Sequence, residues 1–547
     1  MDQENWTLSQ ISDGAGSARM PMADDAIGDQ TCCSVSCPRG TALVLMGGLI
    51  YLYLILFSPP FIPIYSASVG TIYISQATRI LQGEVLYRDF FELTPPGTEL
   101  VYCALFKLFG FHHWIHNATL LVLGMSFLWL SIVISRRVLP AHLVFLPGAL
   151  FLSIPFAVRL DGTHHWFSCL AVTSALAILI DRRTPVRIVA AGGLCGVALC
   201  FTQLRGLFGF LGLGAFLFWE WRKKQESWKA LFKNQLLLIL GFLIAPVVVD
   251  GYFIWKVGLE RFLFCTVVFG LKYYAALGNA NSFGAVLTDL SLPLDRQFFR
   301  QKLAFLFVLV VTPLSYLLFF LRGWQRARKG SDALWGQLLL VAIVGISLLL
   351  SVASTPAAFR VAPGMLPALI LLVWLMFTLR QFRRSFVTLL WFGVLGSALF
   401  GAYWRQTHWR TFFDTPGGRI GVHDQDLAER LVWLQERSHP GEYMFDTQWP
   451  IVNVALGLRN PTPIPALTDT DYTRPEQVEG VISGLEKHQV HYVLWSAGDL
   501  IALPNERIAP GDHLEPLRRY LRTNYQLAAT FTDGTPVLER NSLQTHP

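Results

Sequence analysis

Long apolar runs recur along this chain, and no other sequence feature restricts its fold as strongly. A helix of about 20 apolar residues spans the hydrocarbon core of a bilayer. Only 15% of the 547 residues are charged, whereas a soluble domain has about 25%. We therefore predict an α-helical polytopic membrane protein with about eleven spans. The runs lie near residues 42–57, 117–135, 141–157, 166–180, 188–203, 207–220, 234–255, 303–321, 333–352, 364–379 and 386–403.

Basic residues fall in every second connection between these runs. Cytoplasmic loops are enriched in Lys and Arg, so the alternation predicts a cytoplasmic N-terminus and an outward face for residues after about 404. The net charge of +7 is explained by these loops, and we predict a lipid bilayer as partner and no nucleic acid. The basic connections contain Arg136 and Arg137; Arg182, Arg183 and Arg187; Arg222, Lys223, Lys224, Lys229 and Lys233; Arg322, Arg326, Arg328 and Lys329; and Arg380, Arg383 and Arg384.

Three parts follow from this organisation. Residues 1–40 are polar and predicted to be a disordered cytoplasmic N-terminus. Residues 41–403 form the membrane part, with a long outward first loop at 58–116 that carries two interface helices, the second beginning at Pro95-Pro96. Residues 404–547 alternate helical and strand patterns and predict a small outward α/β domain. Its expected elements are helices near 427–437, 475–488 and 515–525 and strands near 443–445, 491–495 and 537.

Two carboxylates lie between the predicted interface helices. The stretch from Tyr87 to Gly97 contains Asp89 and Glu92. A carboxylate near a low-dielectric surface has a raised pKa and suits a general base, an effect worth roughly 100- to 10,000-fold in rate. From the residues alone, pairing of Asp89 with Arg88 or capping of a turn is favoured over a catalytic role, because acidic residues are common in loops and seldom catalytic.

Basic residues recur in the predicted outward turns. Arg159 and Asp161 lie in a very short turn. Arg159 could bind a phosphate, and Asp161 could either orient Arg159 or take part in acid–base catalysis with Asp89. Arg205, Arg360 and Lys272 also oppose the positive-inside tendency, and a lipid phosphate is the natural ligand for such residues at an interface. The alternatives are an Arg–Asp pair that satisfies itself and snorkelling anchors.

Histidines cluster in the same outward turns. His112 and His116 have the i, i+4 spacing of a shared helix face, and His164 and His165 follow Asp161. These four are candidate ligands for a divalent metal ion, the one cofactor that the residues suggest. No HExxH motif accompanies them, and histidine is common at interfaces.

The first-loop motif resembles that of the membrane glycosyltransferases with the GT-C fold. The matching residues are Gly83 to Phe90, Pro95-Pro96-Gly97 and Leu108-Phe109-Gly110. Within that fold the chain is similar to the protein O-mannosyltransferases, the aminoarabinose transferase of lipid A and the RgtA/B/C/D-like enzymes of lipopolysaccharide cores. The resemblance implies an essential acidic residue at Asp89, a second at Asp161 and a bacterial inner (plasma) membrane. Gln203 stands where such enzymes often have a lysine, and Val361-Ala362 replaces a His-Tyr after Arg360.

The combined prediction is an inverting glycosyltransferase of the cell envelope. It would take a sugar from a polyprenyl-phosphate donor and transfer it to a lipid, glycan or protein acceptor on the outward face. Asp89 is the expected base, Glu92 and Asp161 are supporting groups, and Arg159, Arg205, Arg360 and Lys272 are candidates for the donor phosphate. The rivals are a polysaccharide polymerase or ligase and a membrane transporter or flippase, although transporters usually place ionisable residues near the bilayer midplane.

Overall fold

The structure is a computed structural model that describes residues 38–541 except 67, 158, 282, 292–298, 328–332, 379–382, 499 and 501–510. The predicted disorder of residues 1–40 falls almost wholly outside the described residues. The helices up to the C-terminal region are α1 Pro38–Leu56, α2 Gly70–Leu81, α3 Gly97–Phe109, α4 Trp114–Val138, α5 Ala141–Phe156, α6 His164–Leu179, α7 Pro185–Phe201, α8 Gln203–Lys224, α9 Trp228–Val257, α10 259–272, α11 Ala285–Leu290, α12 299–327, α13 Ala333–Leu350, α14 Ala358–Gly364, α15 Leu366–Thr378 and α16 Arg383–Thr407.

Every predicted apolar run coincides with one of these helices. Within the described residues, α1, α4, α9, α12 and α16 are long and apolar enough to cross a membrane. The pair α14 and α15 is bent by 68° and would add a sixth span if it crosses as one unit. Helices α5, α6, α7 and α13 are apolar but shorter. The structure therefore confirms a helical protein with several apolar helices, and the count of eleven spans stays a prediction.

The first loop contains the two predicted amphipathic helices. Helix α2 buries Tyr73, Ile74 and Ala77, and α3 begins at Gly97 just after the two prolines. At Gly97 a β-carbon would lie 2.6 Å from the carbonyl oxygen of Cys200 and 2.8 Å from the Phe201 ring. Glycine is required there because the start of α3 packs directly on the end of α7.

The C-terminal region forms two small sheets with helices beside them. Strands β1 Phe57–Ser58 and β2 Ile62–Tyr65 of the first loop join β3 Thr411–Thr415 and β4 Gly418–Val422 in the order β1-β2-β4-β3. The second sheet has the order β5-β6-β8-β7, and its β5–β6 pair is parallel. The remaining elements are α17 Gln425–Gln435, β5 Met444–Asp446, α18 Ile451–Leu456, α19 Pro475–Lys487, β6 Tyr492–Leu494, α20 Glu515–Asn524, β7 Tyr525–Thr530 and β8 Pro536–Arg540.

These strands and helices confirm a small sheet-containing region after the last long helix. Strand β2 pairs in parallel with β4, with Ile64 opposite Gly421, so the first loop and the C-terminal region share one sheet. They also share apolar cores, since Phe91 and Phe269 lie in one cluster with Phe445 and Trp495. The first loop is therefore clamped between the helix bundle and the C-terminal region. The predicted division at residue 403 stays a prediction, and α16 continues past it to Thr407.

Candidate active site

The loop between α2 and α3 is held in one defined shape. Tyr87 has a φ of 70°, a conformation that costs a residue with a side chain about 1–3 kcal/mol. Burial of the Tyr87 ring and two hydrogen bonds offset this conformational cost. The hydroxyl donates to the carbonyl of Thr94 at 2.8 Å, and the carbonyl of Tyr87 accepts from Nε of Arg261 at 2.9 Å. This turn directs Arg88 and Asp89 away from the buried core.

Asp89 is paired with its neighbour and also caps the turn. Its Oδ2 accepts from the backbone N–H of Val85 at 2.7 Å, and both carboxylate oxygens accept from Arg88 at 2.8–2.9 Å. The hydrogen bonds from Arg88 hold the pKa of Asp89 below its ordinary value. The expectation of a raised pKa is therefore wrong for this residue, because a charged partner outweighs desolvation. Asp89 is ionised at neutral pH and its side chain is 32% exposed.

Glu92 is buried and has several hydrogen-bond donors around it. Its Oε1 accepts from the backbone N–H of Leu93 and from the N–H and hydroxyl of Thr94 at 2.9–3.0 Å, and its Oε2 accepts from Nε2 of Gln76 at 2.8 Å. Burial nevertheless raises its pKa. Glu92 therefore fixes the loop and brings a titratable carboxyl group into the interior.

Glu99 is a second buried carboxyl group, which the sequence reasoning missed. It lies in the first turn of α3, is fully buried, and neither carboxylate oxygen has a hydrogen-bond partner among the described residues. Burial, reinforced by the nearby charge of Glu92, raises its pKa well above the ordinary value. The nearest signal in the sequence is that Glu99 is the one acidic residue of an amphipathic helix.

The predicted turn with Arg159 and Asp161 forms an ion pair. Nε of Arg159 lies 3.3 Å from Oδ2 of Asp161, and Oδ1 of Asp161 accepts from the Thr163 hydroxyl and the Trp166 indole at 3.2 Å. Asp161 is buried, which raises its pKa. Its position fits the self-satisfied pair that the residues left open, and it orients Arg159, whose guanidinium lies 4.7 Å from the centre of the Phe359 ring.

Arg360 joins Arg159 at Phe359, and Arg205 contacts the backbone of Arg360. The guanidinium of Arg360 lies 4.7 Å from the same ring centre and donates to the hydroxyl of Tyr274 at 2.9 Å. Arg205 is fully buried and donates to the carbonyl of Arg360 at 2.5 Å and to the sulfur of Cys169, while its Nε has no partner. Among the described residues no carboxylate pairs with Arg205. We call Arg159, Arg205, Arg360 and Phe359 the arginine cluster.

The histidines line this region without forming a metal site. Nδ1 of His164 lies 2.5 Å from the Tyr73 hydroxyl, Nδ1 of His116 lies 2.9 Å from the Tyr102 hydroxyl, and the rings of His165 and Phe359 are 5.9 Å apart. His112 precedes α4, which begins at Trp114, so the shared helix face predicted for it is wrong. Across the described stretches no group of three or more His, Cys, Asp or Glu side chains is placed to hold a metal ion.

Lys272 and Gln203 complete the set of predicted positions. The side chain of Lys272 is exposed at the end of α10, and no contact joins it to the arginine cluster within the part of the chain that the structure describes. Gln203 instead braces the first loop, because its Nε2 donates to the carbonyls of Leu93 and Thr266 at 3.3 and 2.9 Å.

Tyrosines connect the carboxylates to the arginine cluster. Burial raises the pKa of Tyr73, and the charges of Glu92, Glu99 and Asp161 add to the increase. Burial likewise raises the pKa of Tyr274, with a further contribution from Glu92. Glu92 therefore acts on Tyr274, whose hydroxyl accepts from Arg360 of the cluster. The charged neighbours of Asp89 are instead Arg88 and Arg79.

The similarity of this chain to known proteins lies in its fold. No protein-family model matches it, and no curated protein matches it. The crystal structure of ArnT from Cupriavidus metallidurans, a GT-C glycosyltransferase, is similar over 91% of this chain and 97% of its own, with a TM-score of 0.52 and 15% identity. This chain therefore has the GT-C fold. The oligosaccharyltransferase of Archaeoglobus fulgidus matches over 93% of this chain and 75% of its own, with a TM-score of 0.48 and 13% identity.

The GT-C fold agrees with the resemblance seen in the first-loop motif. At 15% identity the similarity concerns the fold, and function depends on the site that a fold carries. The arginine cluster and the first-loop carboxylates are therefore the features from which an activity has to be inferred.

Proposed function

We propose that this protein is an inverting glycosyltransferase that uses a polyprenyl-phosphate-linked sugar on the outward face of the membrane. The acceptor is a hydroxyl group of a lipid, glycan or protein. The observation that carries the proposal is the arginine cluster in a chain with the GT-C fold: Arg159 and Arg360 lie over the Phe359 ring, and the buried Arg205 donates to the carbonyl of Arg360.

The arginine cluster suits a donor phosphate on electrostatic grounds. A buried cation without a counterion is costly, and an anionic ligand removes much of that cost. Guanidinium groups also match a phosphate with paired hydrogen bonds. Arg205 lacks a carboxylate partner and has a free Nε among its described surroundings, so a phosphate would satisfy a group that the fold leaves unsatisfied. The exposed Lys272 has a weaker claim to this role.

Asp89 is the proposed base. The acceptor oxygen would attack the anomeric carbon from the side opposite the phosphate, its proton would pass to Asp89, and the bond between the anomeric carbon and the phosphate oxygen would break. The polyprenyl phosphate would leave with the electron pair, stabilised by the arginines. Glu92 and Asp161 would support the site by fixing the loop and Arg159. Binding both substrates side by side supplies a further proximity effect.

The test uses purified full-length protein, a panel of polyprenyl-phosphate sugars and mass spectrometry of donor consumption. Asp89→Asn should lower turnover by at least about 100-fold. Glu84→Gln is the matched control, since Glu84 also pairs with an arginine of this loop, at 2.6 Å from Arg79, and it should retain activity.

Full transfer by Asp89→Asn with normal expression would exclude Asp89 as the base. Failure of the wild-type protein with every monosaccharide donor would favour a polymerase or ligase that uses a larger lipid-linked glycan. Movement of the lipid-linked sugar across vesicles without bond cleavage would favour a flippase.

A further inference from the structure

Two further arginines, Arg300 of α12 and Arg405 of α16, lie where these two helices contact each other. The guanidinium of Arg300 lies against the backbone of α16 at Gly401, where a β-carbon would be 2.8 Å from its Nη2. It also lies 5.5 Å from the centre of the Phe400 ring. Arg405 is four residues after Gly401, which places it on the same face of α16 one turn further on.

No ion pair joins either of these two cations to a carboxylate of the described residues. Helix α1 contacts α16 next to Arg405, because Nε2 of Gln406 donates to the carbonyl of Leu54 at 2.5 Å. The hydroxyl of Tyr51 on α1 is buried and has no hydrogen-bond partner among the described residues, and the charges of Arg300 and Arg405 both act on it. Like charges held side by side in a medium of low dielectric constant repel each other, so this arrangement favours an anion between them.

The pair lies at the depth expected for lipid headgroups. Arg405 is near the end of α16 at Thr407, on the predicted outward side. Aromatic side chains surround this end of the helix and are 46–66% exposed, as in the belt that marks a membrane interface. They are Phe400, Tyr403, Trp404 and Trp409.

We propose that Arg300, Arg405 and the hydroxyl of Tyr51 form a binding site for the phosphate group of an anionic membrane lipid. Basic pockets between membrane helices bind lipid headgroups, and paired guanidinium groups hold a phosphate with charge-assisted hydrogen bonds. Two snorkelling anchors would point separately to water, whereas Arg300 is folded back onto Gly401. The site is separate from the proposed glycosyl transfer and is tested without a donor.

The experiment measures binding of phosphatidic acid to the purified full-length protein in a neutral detergent, by native mass spectrometry. The double variant Arg300→Gln/Arg405→Gln should bind at least about tenfold more weakly, because it removes both sets of charge-assisted hydrogen bonds to the phosphate. The matched control, Arg222→Gln/Arg384→Gln, removes the same charge at the predicted cytoplasmic side and should bind as the wild type does.

A second variant keeps both arginines and changes only the position of the Arg300 guanidinium. Gly401→Leu displaces the Arg300 guanidinium and should weaken phosphatidic acid binding in the same direction. Equal binding by the wild type, the double variant and Gly401→Leu would overturn the proposal. Saturation by inorganic phosphate, without preference for phosphatidic acid over phosphatidylcholine, would also overturn it and indicate a site for free phosphate.

Discussion

As the pH rises, the variant Glu99→Gln should become more stable than the wild type. Glu99 is buried with no partner for either carboxylate oxygen, and its pKa is raised well above the ordinary value. Glutamine has nearly the same shape and carries no charge at any pH. The substitution therefore removes a titration while leaving the packing of α3 almost unchanged.

The sign of the effect follows from proton binding. In the unfolded chain Glu99 loses its proton near pH 4.3, whereas in the folded protein it keeps the proton to a higher pH. Over that interval the unfolded state binds fewer protons, so the free energy of unfolding falls by about 1.4 kcal/mol per pH unit. Over that interval the wild type should therefore lose stability relative to Glu99→Gln, by about 1.4 kcal/mol for each pH unit.

The assay is thermal unfolding of both proteins in nanodiscs between pH 4 and pH 8. For a chain of this size about 1.4 kcal/mol corresponds to about 1 °C, so the melting temperature of the variant should gain about 1 °C on that of the wild type for each pH unit above the pKa of the unfolded chain. Glu476→Gln, which changes an exposed glutamate of α19, is the control and should follow the wild type. Parallel pH profiles for the wild type and Glu99→Gln would refute the assignment of Glu99 as a buried neutral acid.

Three further predictions concern the site and its supports. Gly97→Ala should lower stability by about 1–3 kcal/mol in thermal unfolding, because its β-carbon would lie 2.6 Å from the carbonyl oxygen of Cys200; an unchanged melting temperature would contradict this packing. Arg88→Ala should move the acidic limb of the pH–rate profile to higher pH, because Arg88 is the main cause of the lowered pKa of Asp89; an unmoved limb would argue against Asp89 as the base. Arg205→Lys keeps the charge but loses the planar guanidinium that reaches the Arg360 carbonyl. The KM for the donor should therefore rise about tenfold or more in steady-state kinetics. An unchanged KM would show that Arg205 does not bind the donor phosphate.

Much of the helical fold could be predicted because its signals are local. Apolar runs, amphipathic spacing and the prolines before Gly97 each act within about one helix, and the predicted runs coincide with helices. The helices near 427–437, 475–488 and 515–525 were found at α17, α19 and α20. The pairing of β2 with β4 could not be predicted, since the paired residues Ile64 and Gly421 are more than 350 positions apart and no local pattern encodes such a contact.

The residues of the site could likewise be predicted one by one, whereas their contacts could not. Arg159, Arg205 and Arg360 could be selected one at a time because each opposes the positive-inside tendency. The structure brings Arg159 and Arg360 to one ring, Phe359, and joins Arg205 to the carbonyl of Arg360. Lys272 met the same criterion and stays exposed. Burial of an individual side chain depends on what packs against it, and sequence spacing does not report that.

The distribution of charge between the two halves of the site argues for a ligand. A fold optimised for stability would pair a buried acid such as Glu99 with a buried base such as Arg205, since an unpaired buried charge is among the most costly features of a protein. In this protein neither group has such a partner among the described residues: both carboxylate oxygens of Glu99 and Nε of Arg205 are buried without a hydrogen bond. An unpaired buried cation lowers stability, and it suits the proposed role of the arginine cluster in holding an anionic phosphate.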